Sequence, residues 1–154
     1  MHITDILSPE RTVAQVPATS KKRALETISN LLAASTNSAL GATEIFDSLI
    51  ARERLGTTAI DNGVAIPHGR MKNFHDTIGA FVQLQEGIDC DAMDRGQVRL
   101  LFALLVPEES TEEHLQLLAR LAEMFSDAEL REQLMQAQDS ETLYKLLIDW
   151  DQTH

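Results

Sequence analysis

The stretch Gly63-Val64-Ala65-Ile66-Pro67-His68-Gly69-Arg70 is where residue types and spacing point most directly to chemistry. An imidazole there follows a proline and precedes a glycine. Histidine has a reference pKa of about 6.5, so at physiological pH much of it is neutral, with one ring nitrogen free to act as a nucleophile. Val64 to Ile66 reads as a short buried strand, which Pro67 ends by removing a backbone donor. Gly69 is expected to let the chain turn sharply. His68 is therefore expected at a strand end, with nothing bulky covering it. Between Ala51 and Lys72, four basic residues (Arg52, Arg54, Arg70, Lys72) outnumber two acidic ones (Glu53, Asp61). A neutral imidazole among guanidinium groups suits acceptance of a phosphoryl group, whose equatorial oxygens the cations neutralise.

His114 is the second candidate. It follows the most apolar run of the chain and falls in the first turn of an expected helix. Strand ends and helix N-termini of α/β folds converge on ligand crevices, so His114 can face the same crevice as His68, or else solvent. His2, His75 and His154 belong to no pattern and read as surface residues. Cys90, the one cysteine, lies between Asp89 and Asp91, which raise a thiol pKa and blunt it as a nucleophile. His68, His75, Cys90 and His114 lack metal-site spacing, so no metal is expected. Phosphate-loop, dinucleotide-loop and serine-elbow motifs are missing, which leaves nucleotide and hydrolase chemistry without support. With neither cofactor nor metal expected, the phosphoryl donor would be another protein.

The whole-chain properties narrow the partners. The net charge is −11 over 154 residues, which disfavours nucleic acid and anionic lipid and favours a basic partner. Apolar residues make up 44% of the chain, yet no apolar run approaches the roughly 20 residues that span a bilayer. The first residues do not resemble a secretory signal, and one cysteine excludes an intrachain disulfide, so the cytoplasm is the expected compartment. The length suits one domain, residues 1–154, with a single core.

Which elements must position the two histidines? Thr4 to Leu7 reads as an apolar turn and Thr12 to Val16 as an extended piece. Ser20 caps a helix from Lys21 to Ser35, with Ala24, Leu25, Ile28, Leu31 and Leu32 on one face, broken at Thr36-Asn37-Ser38. Thr43 is expected to cap a second helix through Arg54, burying Ile45, Phe46, Leu49 and Ile50 and ending at Gly56. Ile78 to Leu84 reads as a strand, followed at Gly87 and Asp89-Cys90-Asp91 by loop or edge. Val98 to Val106 is almost wholly apolar and reads as a central strand covered on both faces, closed by Pro107. Ser110-Thr111-Glu112-Glu113 is a capping box before a helix with Leu115, Leu117, Leu118, Leu121, Met124 and Phe125. Ser126-Asp127-Ala128-Glu129 reads as a second box, before Leu130, Leu134 and Met135. Asp139 or Ser140 opens a last helix carrying Leu143, Leu147, Ile148 and Trp150. Helices, then strands, then helices give an α/β fold: a mixed β-sheet sandwiched by α-helices.

These residues resemble a known family. Arg52-Glu53-Arg54-Leu55-Gly56-Thr57-Thr58 and Asn62-Gly63-Val64-Ala65-Ile66-Pro67-His68-Gly69 are similar to the active-site segment of phosphotransferase-system IIA domains of the mannitol/fructose type, nearest to the nitrogen-related members. Ser20 to Glu26, Phe81 to Leu84, Leu100 to Pro107 and the pair His114-Leu115 also resemble that family. The resemblance implies a mixed sheet between helices, with His68 phosphorylated on Nε2. It implies an NPr- or HPr-like phosphocarrier as donor, itself charged from phosphoenolpyruvate. Arg52 would lie against the phosphate, and His114 would orient or stabilise the phosphohistidine. It also implies a regulator whose phosphorylation state governs binding to potassium-transport components or sensor kinases, or alternatively a component passing phosphate to a sugar-permease IIB subunit. Asp61 stands where the family often has glycine, and an inward-pointing acid there would repel phosphate.

Overall fold

The computed structural model describes residues 2–35, 41–72, 74–94, 96–109 and 112–154. The expected break at Thr36-Asn37-Ser38 and the caps at Ser110 and Thr111 lie outside those residues. Six helices are described: α1 (Ile3–Ile6), α2 (Lys21–Ala34), α3 (Ala42–Leu55), α4 (Glu112–Phe125), α5 (Ala128–Gln136) and α6 (Ser140–Thr153). Six strands form one sheet: β1 (Thr12–Val16), β2 (Ala59–Ile60), β3 (Val64–Ala65), β4 (His68–Met71), β5 (Ile78–Ile88) and β6 (Val98–Pro107).

The sheet is mixed, as its sequence pattern implied, with order β1-β5-β6-β3-β2 and β4 also on β6. β1 runs parallel to β5, β5 antiparallel to β6, and both β3 and β4 parallel to β6. The apolar run of β6 makes it central. Its alternate side chains enter two cores: Leu100, Phe102, Leu104 and Val106 pack beneath α1, α4, α5 and α6, and Leu101, Ala103 and Leu105 beneath α2 and α3. Helices thus cover both faces.

The segment around His68 departs from expectation. Val64 pairs with Leu100 and His68 with Leu104 at the same offset, so β3 and β4 are one parallel strand interrupted at Ile66-Pro67. The ladder survives the proline because Leu104 N–H donates to Pro67 O at 2.9 Å. His68 therefore opens a strand rather than following the end of one. Gly69 does not turn the chain. It lies inside β4, and an added Cβ would collide with Ser48 of α3, so the glycine is there for clearance.

Other boundaries shift for local reasons. α3 begins after Gly41, two residues ahead of Thr43, and no side chain caps it. β5 runs on through Gly87 to Ile88, with an irregularity between Gln83 and Ile88; a Cβ at Gly87 would meet the Gln97 side chain. Asp127, not Ser126, caps α5: its carboxylate accepts the Glu129 and Leu130 N–H groups, whereas Ser126 Oγ donates to Glu123 O. Asp139 caps α6. Leu115 was expected on the apolar face of α4 but is 65% exposed. The buried stripe of α4 runs His114, Leu117, Leu121, Met124 and Phe125 instead.

Candidate functional site

His68 is half-buried at the start of β4. Ile66 lies in the strand interruption, and its carbonyl serves the histidine: His68 Nδ1 is 2.9 Å from Ile66 O. A carbonyl only accepts, so Nδ1 carries the proton and the neutral ring keeps its lone pair on Nε2. Burial lowers the His68 pKa first, and the charges of Arg52 and Arg70 act in the same direction. The Ile66 carbonyl and Glu53 oppose them without reversing the result.

His114 packs edge-on against His68, with ring centroids 5.1 Å apart and planes at 77°. The residue is 5% exposed. Neither of its ring nitrogens has a hydrogen-bond partner among the described residues. Burial, then the neighbouring His68, Arg70 and Arg52, push its pKa down to about 4. At neutral pH it is an uncharged imidazole with its polar capacity unused. Of the two readings open in the sequence, the inward one holds.

Arg52 stands in the last turn of α3, half-buried, with Nη1 donating to Gly56 O at 2.8 Å. Its charge is felt by both imidazoles. So is that of Arg70, two residues beyond His68 on the strand and therefore on the same face. Arg70 was counted in the basic cluster but not singled out; its place on the face of His68 follows only from the pairing of β4 with β6. Among the described residues, no salt bridge engages Arg52, Arg54, Arg70 or Lys72. Glu53 is buried and already serves Thr58 and Lys21. Asp61 is exposed on the hairpin turn between β2 and β3. The net positive character around His68 is thus greater than the residue count suggested.

Cys90 is buried, and its thiol pKa is raised to about 11. Burial is the main cause, ahead of the flanking aspartates to which the sequence pointed. His2 and His75 are exposed; His154 is exposed too, but stacks on Trp150 at 4.4 Å. Among the described residues, no helix is long and apolar enough to cross a membrane, and no three His, Cys, Asp or Glu cluster as metal ligands would.

Chemically, the arrangement offers one imidazole pinned through Nδ1 and, among the described residues, one buried imidazole without partners and two arginines outside any salt bridge. It can receive a small, highly charged anion at His68.

The family model for the phosphoenolpyruvate-dependent sugar phosphotransferase system, EIIA 2, matches residues 5–150. The nitrogen regulatory protein of Pseudomonas aeruginosa is 44% identical over 149 residues, covering 97% of this chain and 96% of its own. The crystal structure of nitrogen regulatory protein IIA-Ntr from Neisseria meningitidis superposes with a TM-score of 0.88 at 41% identity, over 94% of this chain and 98% of its own. The Escherichia coli mannitol IIA, in its complex with phosphorylated mannitol IIB, shares the fold: TM-score 0.75 at 20% identity, over 93% of this chain and 97% of its own.

Proposed function

The chain belongs to the EIIA 2 family of the phosphoenolpyruvate-dependent sugar phosphotransferase system, in its nitrogen regulatory branch, and from that premise we propose that it accepts a phosphoryl group on His68 Nε2. One observation carries the reading: the paired imidazoles, His68 held through Nδ1 and His114 buried beside it with both nitrogens unused. A buried polar group left without a partner costs about 1–3 kcal/mol, a cost that a bound phosphoryl oxygen would relieve.

The step is an in-line displacement. The phosphorus–nitrogen bond of a donor phosphohistidine breaks, its electron pair returning to the donor nitrogen, as the bond from phosphorus to His68 Nε2 forms. Nδ1 keeps its proton on the Ile66 carbonyl, so no proton needs to cross the interface. Arg52 and Arg70 offset charge on the equatorial oxygens, and His114 donates an N–H to one of them. The donor is an NPr- or HPr-like phosphocarrier. Leu55 is 85% exposed and Leu115 65% exposed, one near Arg52 on α3 and one next to His114 on α4. Exposed apolar side chains beside a charged site suit docking of another protein.

The whole chain, residues 1–154, would act as one cytoplasmic unit. Phosphorylation adds roughly −1.5 to −2 charge to a positive patch and changes what a partner meets there. Potassium-transport components and sensor kinases are the partners we assign to that switch. The neighbour solved in complex with phosphorylated mannitol IIB motivates a second reading, onward transfer to a sugar-permease IIB subunit.

Mass spectrometry after incubation with phosphoenolpyruvate and the upstream carriers is expected to show one acid-labile phosphoryl group. His68→Ala should abolish it. Labelling that survives this substitution overturns the assignment, and transfer onward to a IIB domain would favour the second reading.

A further inference from the structure

We infer that Glu53 is a positioning residue for His68 and Arg52, acting from behind the site through a chain of hydrogen bonds. The inference rests on the reading of His68 as the phosphoryl acceptor, and it assigns that site an orienting carboxylate.

Glu53 follows Arg52 in α3 and is more deeply buried, 8% exposed. Its carboxylate accepts the Thr58 N–H at 3.0 Å and the Thr58 hydroxyl. The Thr58 carbonyl accepts the Ile66 N–H at 3.0 Å. The Ile66 carbonyl, in turn, accepts the His68 Nδ1–H at 2.9 Å. Four residues from three separate segments thus run from a buried carboxylate to the nucleophile's ring. The Ile66 link matters because Ile66 falls in the gap between β3 and β4, where pairing with β6 does not hold it.

The second branch reaches Arg52. Residues 56–58 lie outside helix and strand. The Gly56 N–H donates to Glu53 O at 3.3 Å, and the Gly56 carbonyl receives Arg52 Nη1 at 2.8 Å. By tying down Thr58, the Glu53 carboxylate fixes the loop from which Arg52 is held. Thr57, whose hydroxyl donates to Cys90 O, anchors the other side of that loop.

The charge is held as well as the shape. Lys21 Nζ lies 3.4 Å from Glu53 Oε2 and 3.4 Å from Asp91 Oδ2. Burial works against the lysine's charge, but Glu53 and Asp91 outweigh it and raise its pKa. The Glu53 carboxylate thus has a cationic partner in Lys21 as well as both Thr58 donors. A buried glutamate between two arginines would otherwise pair with them. Its commitment to Thr58 and Lys21 leaves Arg52 and Arg54 without an ion pair among the described residues.

The experiment uses the full chain and two readouts. ¹⁵N NMR of the unmodified protein reports the His68 tautomer through its ring-nitrogen shifts. Phosphoramidate, a small donor that needs no docking surface, reports the labelling rate of His68 by mass spectrometry. In Glu53→Gln one acceptor oxygen becomes a donor amide. The His68 shifts should move towards a mixture of tautomers. Labelling should slow roughly ten-fold, the low end of what outer partners of an oriented histidine contribute. Thr58→Val should move both readouts in the same direction, and Thr58→Ser should restore them. A folded Glu53→Gln with parental shifts and a rate within about two-fold overturns the inference. If Glu53→Gln does not fold, Thr58→Val decides on the same two readouts. Absence of His68 labelling in the parent protein would count against phosphoryl acceptance itself, while the tautomer measurement would still judge Glu53.

Discussion

Gln83 and His114 are both polar residues enclosed in the fold, and the structure treats them in opposite ways. Gln83 is fully buried on β5 and has every polar atom in use. Its Nε2 donates to Leu134 O at 2.7 Å and Ala137 O at 2.8 Å, closing the C-terminal end of α5, and its Oε1 accepts from Gln15. Asp151 on α6 is handled likewise, accepting the Ile3 N–H at 2.8 Å and Arg120 Nη2 at 2.9 Å. His114 is buried almost as deeply and has both nitrogens without a partner among the described residues. Where polarity serves the fold, the fold satisfies it. The polarity left unspent beside His68 and the unpaired arginines is what the proposed phosphoryl acceptance would draw on.

That contrast is broken most forcefully at Asp151. Asp151→Ala strands Arg120 and the Ile3 N–H, and removing one partner of a buried pair typically costs 3–5 kcal/mol. Urea denaturation should therefore show a loss of about 4 kcal/mol, reduced somewhat because Arg120 is partly exposed, with the His68 labelling rate unchanged. An altered labelling rate in a folded variant would mean that the two regions are coupled.

The next largest effect is on acid stability. His114 has an ordinary pKa of 6.5 when unfolded and about 4 when folded, so the unfolded state takes up its proton first as pH falls. The stabilisation is fully present above pH 6.5 and is lost progressively as pH drops towards 4. The difference corresponds to about 3 kcal/mol at most, and His68, lowered in the same direction, adds to the slope. Gln83 does not titrate and contributes nothing. Denaturation midpoints compared between pH 7.5 and pH 4.5 should show the loss in the parent and a shallower one when His114 is replaced. Equal slopes in the two proteins would remove His114 as the source.

Gln83→Leu comes third. It leaves the carbonyls of Leu134 in α5 and of Ala137, its C-cap, without these donors, for about 2 kcal/mol of destabilisation, with no change at His68. Hydrogen exchange should localise the loss to the end of α5. An effect spread evenly over the chain would argue that Gln83 does more than close that helix.

Much of this was legible in the sequence because long elements carry a period. α2, α4, α6, β5 and β6 each have enough residues for apolar side chains to repeat at helical or strand spacing. β2 and β4 have two and four residues and no room for a repeat, and β4 reads His-Gly-Arg-Met. It is a strand because β6 supplies its partner, which is a fact of tertiary pairing. For the same reason Gly69 looked like a turn: clearance from Ser48 is invisible until α3 lies across the strand. The histidine pair was half legible. His68 announced itself through Pro67 and its basic neighbours. His114 was left open between crevice and solvent; it shares helical spacing with Leu117, Leu121 and Met124, but so does Leu115 with Leu118, and only packing decides which stripe is buried. The carbonyl of Ile66 and the reach of Glu53 to Thr58 have no side-chain pattern to betray them.

The smallest stability effect is the sharpest test of the contrast. His114→Leu continues the apolar stripe of α4 and removes two buried nitrogens that no described residue satisfies. A leucine at a structural position such as Gln83 destabilises; here it should stabilise, by about 1 kcal/mol at pH 7.5, because loss of an unpaired buried polar group outweighs the imperfect fit of a branched side chain in place of a flat ring. Phosphoryl acceptance at His68 should fall in the same protein, since the group proposed to meet a phosphate oxygen is gone. Urea denaturation and the labelling rate, measured on one preparation, read the two effects together. Stability rising while transfer falls is what a residue kept for its ligand must do. A His114→Leu protein that is less stable than its parent, yet labels at the parental rate, would make His114 one more satisfied core residue and erase the difference between the two regions.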